Sequence, residues 1–273
     1  KLIALRFFVR FIPNESQRVF ALTVLVGALC GLAAVAFHLA IIAVEGSLIE
    51  PAMASSHYLW LGILTPILGG LVCGALLTYI APGARGSGVP QVKIAYGIKG
   101  GRMPFRDAIG KFIISALKIG SGASLGREGP TVHICAGISS WLGQTFALSQ
   151  RNLKRLLPVG VAAGIAAAFN APIAAVTFTI EEVVGDLDQT VLSGVIVAAA
   201  IERSILGEHP VFSITQTYGL HHVGSVLFYA ILGIAAGFAA LAFSESLLFL
   251  RAWFSRLKAL PEWMHPAVGA GIT

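Results

Sequence analysis

The chain has 273 residues, 56% of them hydrophobic and 12% charged, with a mean hydropathy of +0.82. Soluble domains carry about 25% charged residues, so this composition excludes an ordinary soluble enzyme or binding domain and specifies a membrane protein. The formal charge of +6 is scattered over short loops without forming a continuous basic face, which argues against nucleic-acid binding and suits cytoplasmic anchors.

In chain order, residues 1–18 are basic and amphipathic, which predicts a cytoplasmic N-terminal segment without a cleavable signal peptide. Val19 to Val44 and Tyr58 to Ile80 each exceed the roughly 20 apolar residues needed for a crossing. The next region, Ala81 to Asp107, is basic and contains Gly86-Ser87-Gly88-Val89-Pro90. Beyond it the apolar pieces shorten: Ala108 to Leu125, Thr131 to Leu148, Leu153 to Phe169, Ile173 to Val184 and Val191 to Ile201. Short, Gly/Pro-interrupted segments predict discontinuous, tilted helices that meet near the midplane around a transport site. Val223 to Leu250 is again a full span, and Pro266 opens a further segment. The fold class expected is therefore an all-α polytopic membrane protein.

The sequence also compares with itself. Gly27, Gly31 and Phe37, with the alanines between them, recur in register as Gly233, Gly237 and Phe243. Thr65-Pro66-Ile67-Leu68-Gly69-Gly70 likewise resembles His265-Pro266-Ala267-Val268-Gly269-Ala270, in the same order along the chain. Gly-x-x-x-Gly alone is a common packing pattern, but the shared order predicts two structural repeats. Residues 19–205 are the first repeat, 206–222 a connecting loop, and 223–273 the beginning of a second repeat expected to be incomplete.

Three stretches share one local design: Gly86 to Pro90, Gly126-Arg127-Glu128-Gly129-Pro130, and Phe169-Asn170-Ala171-Pro172-Ile173. In each, small or N-cap residues precede a proline and a helical apolar pattern, which predicts a helix N-terminus. Unpaired N–H groups gather at such ends and favour negative charge. Two ends aimed at one point would bind an anion weakly enough to release it, with Ser87 adding a hydroxyl donor. Glu128, at or just before such an end, is either the neighbour of an anion site or a carboxylate that fills one. The plainer reading is a terminal carboxylate paired with Arg127.

These residues carry a resemblance to the CLC family of chloride channels and chloride/proton antiporters. Gly86-Ser87-Gly88-Val89-Pro90 resembles that family's Gly-Ser-Gly-Ile/Val-Pro motif, and Gly126-Arg127-Glu128-Gly129-Pro130 its Gly-Lys/Arg-Glu-Gly-Pro motif. Ala162 to Ile173, running on to Ile180-Glu181-Glu182, resembles a third block in the right order. The resemblance implies the CLC-type inverted-repeat helical fold in the cell membrane, a homodimer with a pore in each subunit, and no enzymatic activity or cofactor. Chloride and protons would be the transported ions. Ser87 would donate to chloride within the two anion motifs, and Glu128 would gate by occupying an anion position until protonated. Glu182 would pass protons to the interior, leaving Glu181 to structural pairing. Gln91 stands where many members have Glu, and Lys93 where some bacterial members are acidic, so both bear on the intracellular proton route. A passive channel of the family is the alternative, with a fluoride exporter behind it.

Other features read more plainly. Cys30, Cys73 and Cys135 are buried small residues, and Lys111 and Lys118 snorkel or pair with carbonyls. His38 and His133 are expected to be satisfied buried histidines, and His221-His222 interfacial, because no metal-ligand spacing accompanies them. Neither a nucleotide-loop glycine pattern nor the residue set of an intramembrane hydrolase is found.

Overall fold

The computed structural model describes residues 15–55, 58–184, 189–206, 224–256 and 261–272. Most of the basic N-terminal segment, the connecting loop and His221-His222 lie outside the described residues. Among the described residues the secondary structure is helical throughout. The chain is a multi-pass membrane protein, with four of its helices long and apolar enough to cross a bilayer.

Helix α1 (Glu15–Ala54) outruns the predicted Val19 to Val44, with Pro51 in its last turn. Helix α2 (Tyr58–Ala75) passes directly into a π-helical turn, Leu76–Ile80, so the second span has the predicted limits. Helix α3 (Val89–Gly97) starts at the predicted Gly86 to Pro90 helix N-terminus, and the five predicted short segments become α4 (Phe105–Gly120), α5 (Glu128–Thr145), α6 (Gln150–Phe169), α7 (Pro172–Thr179) and α8 (Gln189–Leu206). Helix α4 starts and stops earlier than predicted because Ser121 closes it and Gly122, at φ +92°, turns the chain away. Helix α7 runs into a second π-helical turn, Ile180–Val184. Helix α9 (Ser225–Arg256) is the long later span, and α10 (His265–Ile272) follows a 3-10 turn over Glu262–Met264.

The core forms around α6, which is buried almost continuously from Leu156 to Ala167 against α5, α1 and α8. Small residues allow this close packing, since lipid tails do not drive helices together by excluding water. A Cβ at Gly160 would stand 2.0 Å from Ser139 Oγ, and one at Gly164 would stand 2.7 Å from Cys135 Sγ. A Cβ at Gly31 would come within 3.0 Å of the Ala198 carbonyl, so α1 seats α8 at Gly31. Its sequence counterpart on α9 is bare among the described residues: nothing lies within 4 Å of a Cβ at Gly233 or Gly237. The other matched pair of stretches meets directly. Helix α2 packs on α10, and a Cβ at Gly70 would lie 2.7 Å from the Pro266 carbonyl.

The thiols of Cys30 and Cys135 are free and buried, and each lies near the other's carbonyl at 3.6 and 3.8 Å. Phe37 is fully buried, with its ring 5.4 Å from that of Phe112. Phe37→Ala should therefore cost about 3–5 kcal/mol, against little for Phe20→Ala at a position 60% exposed. Denaturation of the two variants in matched detergent checks the contrast.

Candidate functional site

Helices α3 and α5 begin beside each other, and glycine makes this possible. Gly88, the residue before α3, has φ +119°, a backbone conformation open to glycine. A Cβ there would lie 2.3 Å from the Gly129 carbonyl oxygen, and one on Gly129 would lie 2.4 Å from the Ser87 carbonyl oxygen. The two turns are thus in backbone contact. Gln91 holds the α3 end: the Gly88 N–H donates to its Oε1 at 3.1 Å, and its Nε2 donates to the Arg85 carbonyl at 2.6 Å. Gln91 is a cap here, with its amide committed at both atoms.

Both turns face a cavity of about 500 Å³. Gly86, Ser87, Gly126, Glu128, Gly129 and Pro130 line it, so the two predicted motifs share one space. Glu128 is the first residue of α5, and Pro130 falls in its first turn, where a missing N–H costs no hydrogen bond. The Glu128 carboxylate folds back over Gly126, where a Cβ would lie 2.0 Å from its Oε2. Val89 and Pro90 form the first turn of α3, and Gly88, Val89, Pro90 and Arg127 support the cavity without lining it.

Arg127 does not pair with Glu128. Its guanidinium donates to His38 Nδ1 at 2.9 Å and to the Ala168 carbonyl at 2.8 Å, tying α1 and the end of α6 to the start of α5. Because a guanidinium only donates, His38 accepts at Nδ1. Lys111, buried on α4, donates to the Ala84 carbonyl at 3.1 Å and to the Gly86 carbonyl. Lys118, two turns further along α4, lines the same cavity. Two ammonium groups and two helix N-termini therefore surround a single carboxylate. Such a cavity favours negative charge, whether a free anion or the Glu128 carboxylate itself.

The third predicted stretch is joined to the site only indirectly. Asn170 ends α6 in the left-handed conformation at φ 50°, and its Oδ1 accepts from Arg203 Nε at 2.6 Å. The α7 N-terminus does not line the cavity, although the Ala168 carbonyl reaches the site through Arg127. Glu181 and Glu182 lie in the π-helical turn after α7. Glu182 does not line the cavity either; its Oε2 pairs with Lys93 Nζ at 2.6 Å, a bridge between that turn and α3.

Lys111 pairs with backbone carbonyls as expected and also lines the cavity, a placement that its spacing from Lys118 on one face of α4 signals. His133 is buried as expected but is not satisfied: neither ring nitrogen has a hydrogen-bond partner. It faces the Gly88 turn, where a Cβ on Gly88 would approach its own Cβ to 3.0 Å.

Residues 69–273 match the family model described as voltage gated chloride channel. A putative chloride channel protein ClcB-like of Ralstonia nicotianae is 31% identical over 219 residues, covering 77% of this chain and 50% of that protein. An H(+)/Cl(-) exchange transporter ClcA of Salmonella paratyphi B is 32% identical over 260 residues, covering 89% of this chain and 54% of its own length. The chain thus spans about half the length of the curated relatives it matches. Among solved structures, a slow cyanobacterial Cl-/H+ antiporter superposes with a TM-score of 0.80 at 27% identity, covering 93% of this chain and 63% of that one. A CLC-type fluoride/proton antiporter, at TM-score 0.77 and 23% identity over the same shares, is alike in fold.

The contact between the turns gives a direct test. Gly88→Ala must place a Cβ into the Gly129 carbonyl at a positive φ, and should cost about 1–3 kcal/mol. Gly97→Ala, with nothing within 4 Å of its Cβ, should be neutral or better. Thermal unfolding of both variants in detergent checks the pair.

Proposed function

The chain belongs to the voltage-gated chloride channel family, and from that premise we propose that it forms part of a chloride/proton exchanger in which Glu128 competes with chloride. The observation that carries the reading is the backbone contact between the Gly88 and Gly129 turns, which sets Ser87 and Glu128 on one cavity. Ser87 and the backbone N–H groups of the Gly86 to Pro90 and Gly126 to Pro130 turns, the prolines and the Gln91-bound Gly88 excepted, bind the anion. Their partial charges hold it without the grip of a direct ion pair.

A carboxylate and a chloride cannot occupy one anion position together. Chloride arriving there favours protonation of Glu128, and protonation of Glu128 clears the position for chloride. Linkage makes the two effects equal in free energy, which couples the fluxes where neither ion crosses freely alone. Glu182, outside the cavity, serves as the proton's intracellular stage, and its bridge to Lys93 fixes the carboxylate at the start of that route. The relative named an H(+)/Cl(-) exchange transporter and the cyanobacterial antiporter support exchange.

Residues 19–205 act as the first repeat and 223–273 as the beginning of the second, with the bare face of α9 in the place that α8 covers on α1. The protein works as a homodimer. The stretch from Ile173 to Ile201 contributes to the subunit contact, and Ile173 and Ile196 stand exposed within it.

Reconstitution of the intact protein in liposomes tests the proposal. A proton gradient should drive chloride uphill; chloride flux without such coupling would make the protein a passive channel. Glu128→Gln, which mimics the protonated carboxyl, should abolish proton coupling while chloride flux persists. Glu182→Gln should also lose proton transport, with the Glu128 competitor left in place. Proton coupling retained in Glu128→Gln would overturn the assignment.

A further inference from the structure

We propose that a second cavity, on the far side of the Gly86–Gly88 turn from the Glu128 site, binds a phosphate group, presented by a free phosphoanion or by a lipid headgroup. The cavity measures about 290 Å³, and its lining includes Lys99, Arg102, Asp107 and His133. It shares no lining residue with the cavity that holds Ser87 and Glu128. The proposal therefore stands apart from the exchange reading.

Charge sets the sign of the ligand. Arg85 also lines the space, but its guanidinium is matched by Glu262 Oε2 at 2.7 Å, a contact that holds the Glu262 carboxyl below the usual carboxylate range. Lys99 and Arg102 remain as two positive charges against the one negative charge of Asp107. The cavity is net positive. Its size and its donors exceed what a halide uses, because a guanidinium fork and an ammonium suit an anion with several oxygens.

The donors are held by a built loop. Gly100 and Gly101 take positive φ values of 58° and 83°, and the Gly101 N–H donates to the Ala95 carbonyl at 2.8 Å. Ser140, fully buried on α5, donates to the Gly101 carbonyl at 2.7 Å and accepts from the Met103 N–H at 2.7 Å. The backbone between Lys99 and Arg102 is thus fixed before any ligand arrives, which lowers the ordering cost of binding.

His133 is the second, independent sign of a ligand. Its ring is 1% exposed and lines the cavity, yet both nitrogens lack a partner. A buried polar group left unpaired costs about 1–3 kcal/mol, and a phosphate oxygen accepting from the ring N–H would remove the donor nitrogen's part of that cost.

The intact protein in detergent, titrated with inorganic pyrophosphate at constant ionic strength, provides the test. Saturable heat and a raised melting temperature are expected, with binding weakened at least about tenfold in Lys99→Ala/Arg102→Ala, two exposed positions that leave the core untouched. His133→Gln, which keeps a donor, should bind more tightly than His133→Leu. Nanodiscs of phosphatidylcholine with and without phosphatidic acid separate the sources. Pyrophosphate binding that phosphatidic acid abolishes identifies a headgroup site, and binding indifferent to the lipid identifies a free phosphoanion. Absence of saturable binding to both probes, or equal binding by the double variant, overturns the proposal.

Discussion

The site depends on one steric fact: the carbonyl of Gly129 and the backbone of Gly88 occupy space in which a side chain would not fit. Helix N-termini repel each other when brought together, since each presents the positive end of a dipole. Here the approach is held by hydrogen bonds around it. Gln91 ties the α3 end to Arg85, Lys111 on α4 holds the carbonyls of Ala84 and Gly86, and Arg127 anchors the α5 end to α1 and α6. The electrostatic strain that remains is what an anion, or Glu128 in its place, relieves.

The two cavities on either side of the Gly86–Gly88 turn show how little chain is needed to separate two polar spaces. One is walled by the motif residues and Glu128, the other by a basic loop and a buried imidazole. Between them the turn has a polar role on each side: its carbonyls serve Lys111, and the Gly88 N–H serves Gln91. A segment so fully engaged is stiff.

Much of the fold was legible because the physics that carries it is local. Length and hydropathy marked the spans, and proline with small residues marked the starts of α3, α5 and α7. Glu128 and Ser87 stood out because each is costly or unusual in its apolar setting. What the sequence did not disclose was pairing across distance. Arg127 beside Glu128 looks like its ion-pair partner, but the guanidinium goes to His38, 89 positions away. Lys93 meets Glu182 across the same gap, and Gln91 commits its amide to capping the start of α3. His133 was misread for the same reason: whether a buried ring is satisfied depends on neighbours that no local pattern names. The repeat was half visible in contacts, since Gly31 seats α8 while Gly237 meets nothing among the described residues.

The bond from Arg127 to His38 has a chemical asymmetry. A guanidinium keeps its protons at any pH a cell meets, so the contact exists only while Nδ1 of the imidazole is unprotonated and its lone pair can accept. A proton placed there turns acceptor into donor and sets two cations face to face. Helix α1 is therefore fastened to the start of α5 by a link that acid can undo, one residue from the Glu128 carboxylate.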